Sequence, residues 1–208
     1  MEATVLIPAY NEEATIAEVV EVAKRAGFPV VVADDGSKDR TAEEAERAGA
    51  EVVRLLQNRG KGGALAEGLR RVRTPLVLLL DADLVGLHPE HLRALLEPVA
   101  RGEAEMTVGV FQGGRPSTDL AMRLTPFLSG QRALRTEALK GVPGLEGARY
   151  DLELLLTRHA KAMGWRVRYL PLRGVSQVMK EEKRGLLAGL RHRLRMYGEI
   201  LRYALKKG

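Results

Sequence analysis

The chain has 208 residues, with 33 Lys and Arg against 27 Asp and Glu, 45% hydrophobic residues and no cysteine. This is the composition of an ordinary soluble globular protein, and it excludes a disulfide framework, a thiolate zinc site and an iron–sulfur cluster. The longest charge-free runs, Ala3 to Asn11 and Met106 to Gly114, have nine residues, too few for a membrane-spanning helix. Glu2, Glu12 and Glu13 stand where a secretory leader would be basic and then apolar, so no leader is expected.

Thr4 to Ile7, Val30 to Val32, Val52 to Leu56 and Leu76 to Leu80 read as strands; the last is an unbroken apolar run suited to burial on both faces. Between them Ile16, Val19, Val20 and Ala23 recur at helical spacing after Thr15, Thr41 opens a second helix, and Ala64, Leu65 and Leu69 mark a third. This alternation predicts an α/β fold with a doubly wound, mostly parallel, Rossmann-like sheet. Ligands of such sheets sit beyond the carboxyl ends of the strands. A helix from Pro89 to about Val99 follows, entered through His88, and then a strand from Met106 to Val110. Leu152 to Met163 is amphipathic and starts near Asp151, Arg166 to Leu170 reads as a strand, and a long basic helix runs from Leu186 onward.

Two phosphate-binding fingerprints can be rejected. Gly60-Lys61-Gly62-Gly63-Ala64-Leu65 opens a helix, but Leu65 stands where the dinucleotide fingerprint needs a small residue. A Walker loop needs Ser or Thr after Lys61 and a glycine five residues before Gly60, where the chain has Gly62 and Leu55. Asp81 and Asp83 follow the most apolar strand, where a period of two points both carboxylates the same way. Such hard oxygen anions can hold Mg²⁺ or Mn²⁺, with water and phosphate oxygens completing the shell. Alone the pair also reads as a solvated strand end.

Four segments in order, Val5-Leu6-Ile7-Pro8-Ala9-Tyr10-Asn11-Glu12-Glu13, Ala33-Asp34-Asp35-Gly36-Ser37, Asn58-Arg59-Gly60-Lys61-Gly62 and Leu80-Asp81-Ala82-Asp83-Leu84, resemble the motifs of family 2 glycosyltransferases. The resemblance implies a glycosyltransferase-A fold and a nucleoside diphosphate sugar donor, UDP- or GDP-linked. It implies nucleobase and ribose contacts at Pro8, Tyr10, Glu12 and Asp35, a nucleotide-side loop at Gly60 and Lys61, and metal and diphosphate at Asp81 and Asp83. Ser129-Gly130-Gln131-Arg132 is similar to a segment of polyprenyl-phosphate sugar transferases in which the arginine meets a phosphate, which makes Arg132 a candidate acceptor ligand. The segment Gly144 to Thr157 resembles the acceptor side, with Asp151 and Glu153 as candidate catalytic carboxylates. A late histidine that completes the metal site in glucosyl-3-phosphoglycerate synthases is replaced by Gln177, whose amide oxygen is a weaker candidate ligand.

Each assignment has a structural alternative. Asp34-Asp35-Gly36-Ser37 could be a turn whose Asp bonds its own backbone, Tyr10 could pack in its loop, and Asp151 could cap a helix. Glu153 could sit on an exposed helix face. Lys61 at a helix start opposes the helix dipole, which points to a neighbouring anion; the alternative is a solvated lysine.

The reading is thus a metal-dependent hexosyltransferase acting on a phosphorylated small molecule or a polyprenyl phosphate. A catalytically weakened nucleotide-sugar binding protein and a nucleotidyltransferase are the rivals. Residues 1–179 form the expected glycosyltransferase-A domain, 1–110 being the nucleotide-sugar half and 111–179 the acceptor half, and 180–208 a basic helical extension. That extension holds nine Lys and Arg against three Glu, and so carries the whole net charge of +6. Leu187, Leu190, Leu194, Tyr197 and Leu201 form an apolar stripe flanked by arginines. The stripe either packs on the domain or places residues 184–208 on an anionic membrane surface. Nucleic acid is not an expected partner, because aromatic residues for stacking are few. The expected location is cytoplasmic, or the cytoplasmic face of a membrane, and a homodimer is left open.

Overall fold

The computed structural model describes residues 1–113, 126–149 and 151–178. The chain divides into two compact units, Met1–Ser176 and Gln177–Gly208, and the fold below is that of the first. The expected helix from Leu186 lies outside the described residues.

Strands β1 (Ala3–Ala9), β2 (Val30–Asp34), β3 (Glu51–Arg54) and β4 (Leu76–Leu79) alternate with helices α1 (Ile16–Arg25), α2 (Thr41–Arg47) and α3 (Lys61–Leu69). Then come β5 (Leu84–Val85), α4 (Pro89–Ala100), β6 (Met106–Gln112), β7 (Arg132–Arg135), α5 (Thr136–Lys140), α6 (Leu152–Ala162), β8 (Val167–Arg173) and β9 (Ser176–Gln177). Seven strands make one sheet in the order β3-β2-β1-β4-β7-β6-β8. All of its pairings are parallel except those of β7, which runs against both β4 and β6.

The pleat sorts the core into two layers. Val5 and Ile7 of β1 and Leu78 and Leu80 of the fourth strand run pack with Ile16, Val19 and Val20 of α1 and Leu92, Leu95 and Leu96 of α4. Leu6, Val77 and Leu79 face the other way, onto Leu65 and Leu69 of α3 and Leu152 and Leu156 of α6. Burial on both faces explains why these strands carry apolar side chains at consecutive positions. Helix α1 turns its valines inward at helical spacing, with Glu18 in its first turn and Lys24 and Arg25 in its last, which complements the helix dipole.

From β1 the sheet extends one way through β2 and β3 and the other way through β4, so the crevice beyond the carboxyl ends of β1 and β4 is the switch point. Strand β7 was not legible in the sequence, being four residues long with arginine at each end. Its antiparallel register pairs Leu79 with Arg132. The amino end of β7 therefore lies beside the carboxyl end of β4, and residues 129–132 enter the same crevice.

At the opposite end, Arg166 donates to Glu105 from its backbone N–H at 2.7 Å and from Nη2 at 2.6 Å, tying the approach to β8 to that of β6. Side-chain bonds from Arg166 hold the Glu105 carboxyl down to about 2, against an ordinary value of 4.5. A carboxyl whose folded pKa is depressed adds stability that is complete above its unfolded pKa and disappears as pH falls through the folded one. Glu105→Gln is therefore expected to flatten the dependence of melting temperature on pH between about 4.5 and 2. Only a small drop is expected at neutral pH, since both side chains are well exposed. Superimposable acid limbs for variant and wild type would count against the pairing.

Candidate active site

The loops beyond β1 and β2 hold each other. Ser37 Oγ accepts from the Asn11 N–H at 2.9 Å, Asn11 Oδ1 accepts from the Lys38 N–H at 2.9 Å, and Thr41 Oγ1 accepts from the Glu12 N–H at 2.7 Å. Asn11 takes a left-handed φ of 55° to make this turn. The two aspartates at the carboxyl end of β2 divide their work. Asp34 Oδ1 accepts from the Ser37 N–H at 3.2 Å and closes the turn. The buried Asp35 carboxylate instead reaches the loop before α3, accepting from the N–H of Arg59 at 2.7 Å and of Gly60 at 2.9 Å. Burial raises the Asp35 pKa, and the two amide bonds oppose that rise. Pro8 is half-buried behind this loop set and Tyr10 is half-exposed at its rim. Glu12 is half-buried, and its Oε2 lies 3.4 Å from Thr15 Oγ1.

The glycine-rich start of α3 is built for close packing. The Gly62 N–H donates to Ala148 O at 2.8 Å, and a Cβ on Gly62 would lie 2.2 Å from Leu145 O and 2.4 Å from Ala148 O. The segment 145–149 of the second half thus sits directly on the Lys61 loop of the first. Gly62→Ala must push two backbones apart, and a loss of about 2–3 kcal/mol is expected for such overpacking. In a chain of this size that is a fall of roughly 4–12 °C in melting temperature, measurable by calorimetry. An unshifted Tm would contradict the tight contact.

Lys61 opens α3 and enters the crevice, where its ammonium bridges two carboxylates, Asp81 Oδ1 at 2.6 Å and Glu153 Oε1 at 2.6 Å. Burial alone would lower the lysine pKa, but the two adjacent negative charges raise it well above its ordinary value, so the ammonium stays charged. The second Asp81 oxygen, Oδ2, accepts from Gln131 Nε2 at 2.7 Å. Gly130 lies against the same carboxylate: a Cβ there would fall 2.5 and 2.6 Å from the two Asp81 oxygens. A cavity of about 10 Å³, room for one water, is lined in part by Pro8, Lys61, Gly130, Arg132 and Glu153.

Of the two candidate acceptor-side carboxylates, only Glu153 is brought to Lys61. Its side chain is 13% exposed and projects from the first turn of α6 into the crevice, not from an exposed face. Asp151 is exposed at the N-cap position, makes no side-chain cap, and accepts from the Arg149 N–H at 3.0 Å. Arg132 is fully buried, and burial pulls its pKa below the ordinary arginine value. Nε donates to Ser129 O at 2.9 Å, and Nη2 to Phe127 O at 2.5 Å, Glu153 O at 3.1 Å and Thr157 Oγ1 at 3.1 Å. In this arrangement Arg132 braces the base of the crevice and the turn that carries Glu153.

The pleat argument for Asp83 does not extend that far, because β4 ends at Leu79 and residues 82–83 form a turn. Asp83 is half-buried there. Gln177 is half-buried in β9 and begins the second unit. The hard oxygens of Asp81 and Asp83 suit Mg²⁺ or Mn²⁺. Among the described residues no cluster of three or more His, Cys, Asp and Glu could hold a metal, so donor phosphate oxygens and water would supply the other positions. Ser129 and Gln131, both fully buried, are the polar residues that the sequence reading passed over. Their signal in the sequence is the polar run Ser129-Gly130-Gln131-Arg132.

The sequence model of Glycosyl transferase family 2 matches residues 4–172. The chain is a family 2 glycosyl transferase. An uncharacterized protein of Methanocaldococcus jannaschii, MJ1222, is 30% identical over 199 residues, covering 84% of this chain and 82% of that one. The undecaprenyl-phosphate 4-deoxy-4-formamido-L-arabinose transferase of Pseudomonas aeruginosa is 40% identical over 111 residues, covering 48% of this chain and 32% of its own length. The transferase therefore spans about a third of that enzyme. Among solved structures, glucosyl-3-phosphoglycerate synthase from Mycobacterium tuberculosis, in complex with Mn²⁺, UDP and glucosyl-3-phosphoglycerate, superimposes with a TM-score of 0.70. It is 28% identical, with 85% of this chain and 72% of that one covered. The sheet is accordingly that of a glycosyltransferase-A fold. No described helix of the transferase is long and apolar enough to cross a membrane.

Proposed function

We propose that this transferase moves a hexosyl group from a nucleoside diphosphate sugar to a phosphorylated acceptor, with Mg²⁺ or Mn²⁺ at the donor site. The observation that carries the reading is the position of Lys61 between Asp81 and Glu153, 2.6 Å from each. One cation thereby joins the carboxylate that follows β4, on the donor side, to the carboxylate on α6, on the acceptor side. A divalent ion held by Asp81 and Asp83 would neutralise charge on the leaving diphosphate.

The remaining roles belong to the chain itself. Tyr10, Pro8 and Glu12 line the nucleoside end, and Asp35 keeps lone pairs for a base N–H beyond the two amides it already accepts. Lys61 can exchange a carboxylate for a diphosphate oxygen and so follow the negative charge as it develops. Glu153 takes the acceptor hydroxyl proton if the anomeric configuration inverts, and holds sugar hydroxyls if it is retained; the configuration of the product distinguishes the two. Much of the remaining rate comes from holding donor and acceptor in line.

The test is release of nucleoside diphosphate from UDP-glucose or GDP-mannose with Mn²⁺, in the presence of 3-phosphoglycerate or a polyprenyl phosphate. Acceptor-dependent release that is abolished by EDTA supports the proposal. Absence of release with every pairing removes it. The Pseudomonas relative is named for a lipid-linked acceptor, and the charge of residues 180–208 supports membrane contact by the intact chain. Co-sedimentation with anionic vesicles at low salt, reversed at high salt, is expected; indifference to such vesicles favours a soluble acceptor.

A further inference from the structure

We propose that Gln131 is a positioning residue that fixes the Asp81 carboxylate for the metal and diphosphate end of the donor. The inference rests on the reading of Asp81 as a donor-site ligand. Gln131 and Ser129 are both fully buried, and a buried amide is tolerated only when its polar atoms are paired. Here they are paired in one sense alone. Asp81 Oδ2 can only accept, so the amide nitrogen must face it, at 2.7 Å. Gln131 Oε1 then faces the Ser129 hydroxyl at 2.8 Å, whose single proton is shared between that oxygen and Gly109 O in β6, 2.5 Å away. The Gly109 N–H donates in turn to Gln131 O at 2.8 Å. The amide is therefore anchored to β6, a strand paired on both sides.

The arrangement divides the two Asp81 oxygens, Oδ1 to Lys61 and Oδ2 to Gln131. The terminal torsion of an aspartate is soft. Without the amide, the carboxylate is free to turn both oxygens onto the ammonium and away from an incoming cation. Gln131 prevents this while adding no charge, so the two carboxylates and one ammonium keep their balance until metal and diphosphate arrive. Partners behind a metal ligand commonly govern affinity in this way.

The test compares wild type with Gln131→Met, which keeps the length of the side chain and removes the donor, and with Ser129→Ala, which releases the far end of the amide. Mn²⁺ affinity is read by electron paramagnetic resonance of free Mn²⁺ at saturating UDP, with GDP as the second probe. Nucleotide affinity without metal is read by calorimetry. Gln131→Met is expected to weaken Mn²⁺ by about 10-fold and Ser129→Ala by about threefold, with metal-free nucleotide affinity changed less than about twofold. A packing defect alone would lower Tm without separating the two affinities. Equal Mn²⁺ affinity in wild type and Gln131→Met overturns the proposal; if that variant does not fold, equal affinity in Ser129→Ala overturns it. Wild type that takes up no Mn²⁺ with either nucleotide removes the donor-site reading itself, and this inference with it.

Discussion

Asp81→Asn is expected to lower turnover by about 1,000-fold, roughly 4 kcal/mol in transition-state stabilisation. The substitution keeps the shape of the side chain but takes away the charge that faces Lys61 at 2.6 Å. It also leaves one acceptor oxygen for two donors, so that whichever of Lys61 and Gln131 keeps it, the other faces the new amide N–H. Both the metal shell and the position of the ammonium are disturbed together, which is why the effect exceeds that of Asp83→Asn, expected at about 30-fold. The signature is a rise in the Mn²⁺ concentration needed for half-maximal rate along with the fall in kcat. Turnover within about threefold of wild type at saturating Mn²⁺ would dismiss Asp81 as a donor-site ligand.

Gly130→Ala attacks the same carboxylate from the other side. The new methyl would sit 2.5–2.6 Å from both Asp81 oxygens, well inside van der Waals contact, so either the carboxylate or the strand entry must move. A stability loss of about 2–3 kcal/mol is expected, together with a loss of donor binding, because the displaced Asp81 takes Lys61 with it. Calorimetric Tm and nucleotide titration with Mn²⁺ give the two readings separately. A variant with wild-type affinity for both would show that Asp81 does not depend on the space Gly130 leaves.

The parallel half of the fold was legible because its signals are local. Runs such as Leu76 to Leu80 are buried on both faces and say so at every position, and the helices between them show their own period. The loops carrying Asp35, Lys61 and Asp81 were found for the same reason, each following directly from a strand. What the sequence hid was set by long-range geometry. Nothing near Arg132 announces an antiparallel strand, or that its guanidinium donates to carbonyls of Phe127, Ser129 and Glu153. Gly62 and Gly130 make their close contacts with Leu145, Ala148 and Asp81, the nearest 49 positions away, so nothing in the local sequence announces them. Gln131 was invisible as a partner because its target lies 50 residues earlier in the chain.

The reversed strand β7 also has a consequence for the order in which the protein can be assembled as it leaves the ribosome. Strands β1 to β4 and their helices emerge first and can pair among themselves, but the neighbour that covers the free side of β4 is residues 132–135. Until those residues appear, β4, with its run Leu76–Leu79, presents an uncovered row of backbone donors and acceptors beside apolar side chains. A nascent chain stalled or cut before β7 is complete therefore carries an adhesive border, open to pairing with another copy, in what becomes the middle of the finished sheet. Slow translation of the stretch between β6 and β7 would lengthen that exposure, and expression yield would depend on how quickly it is made.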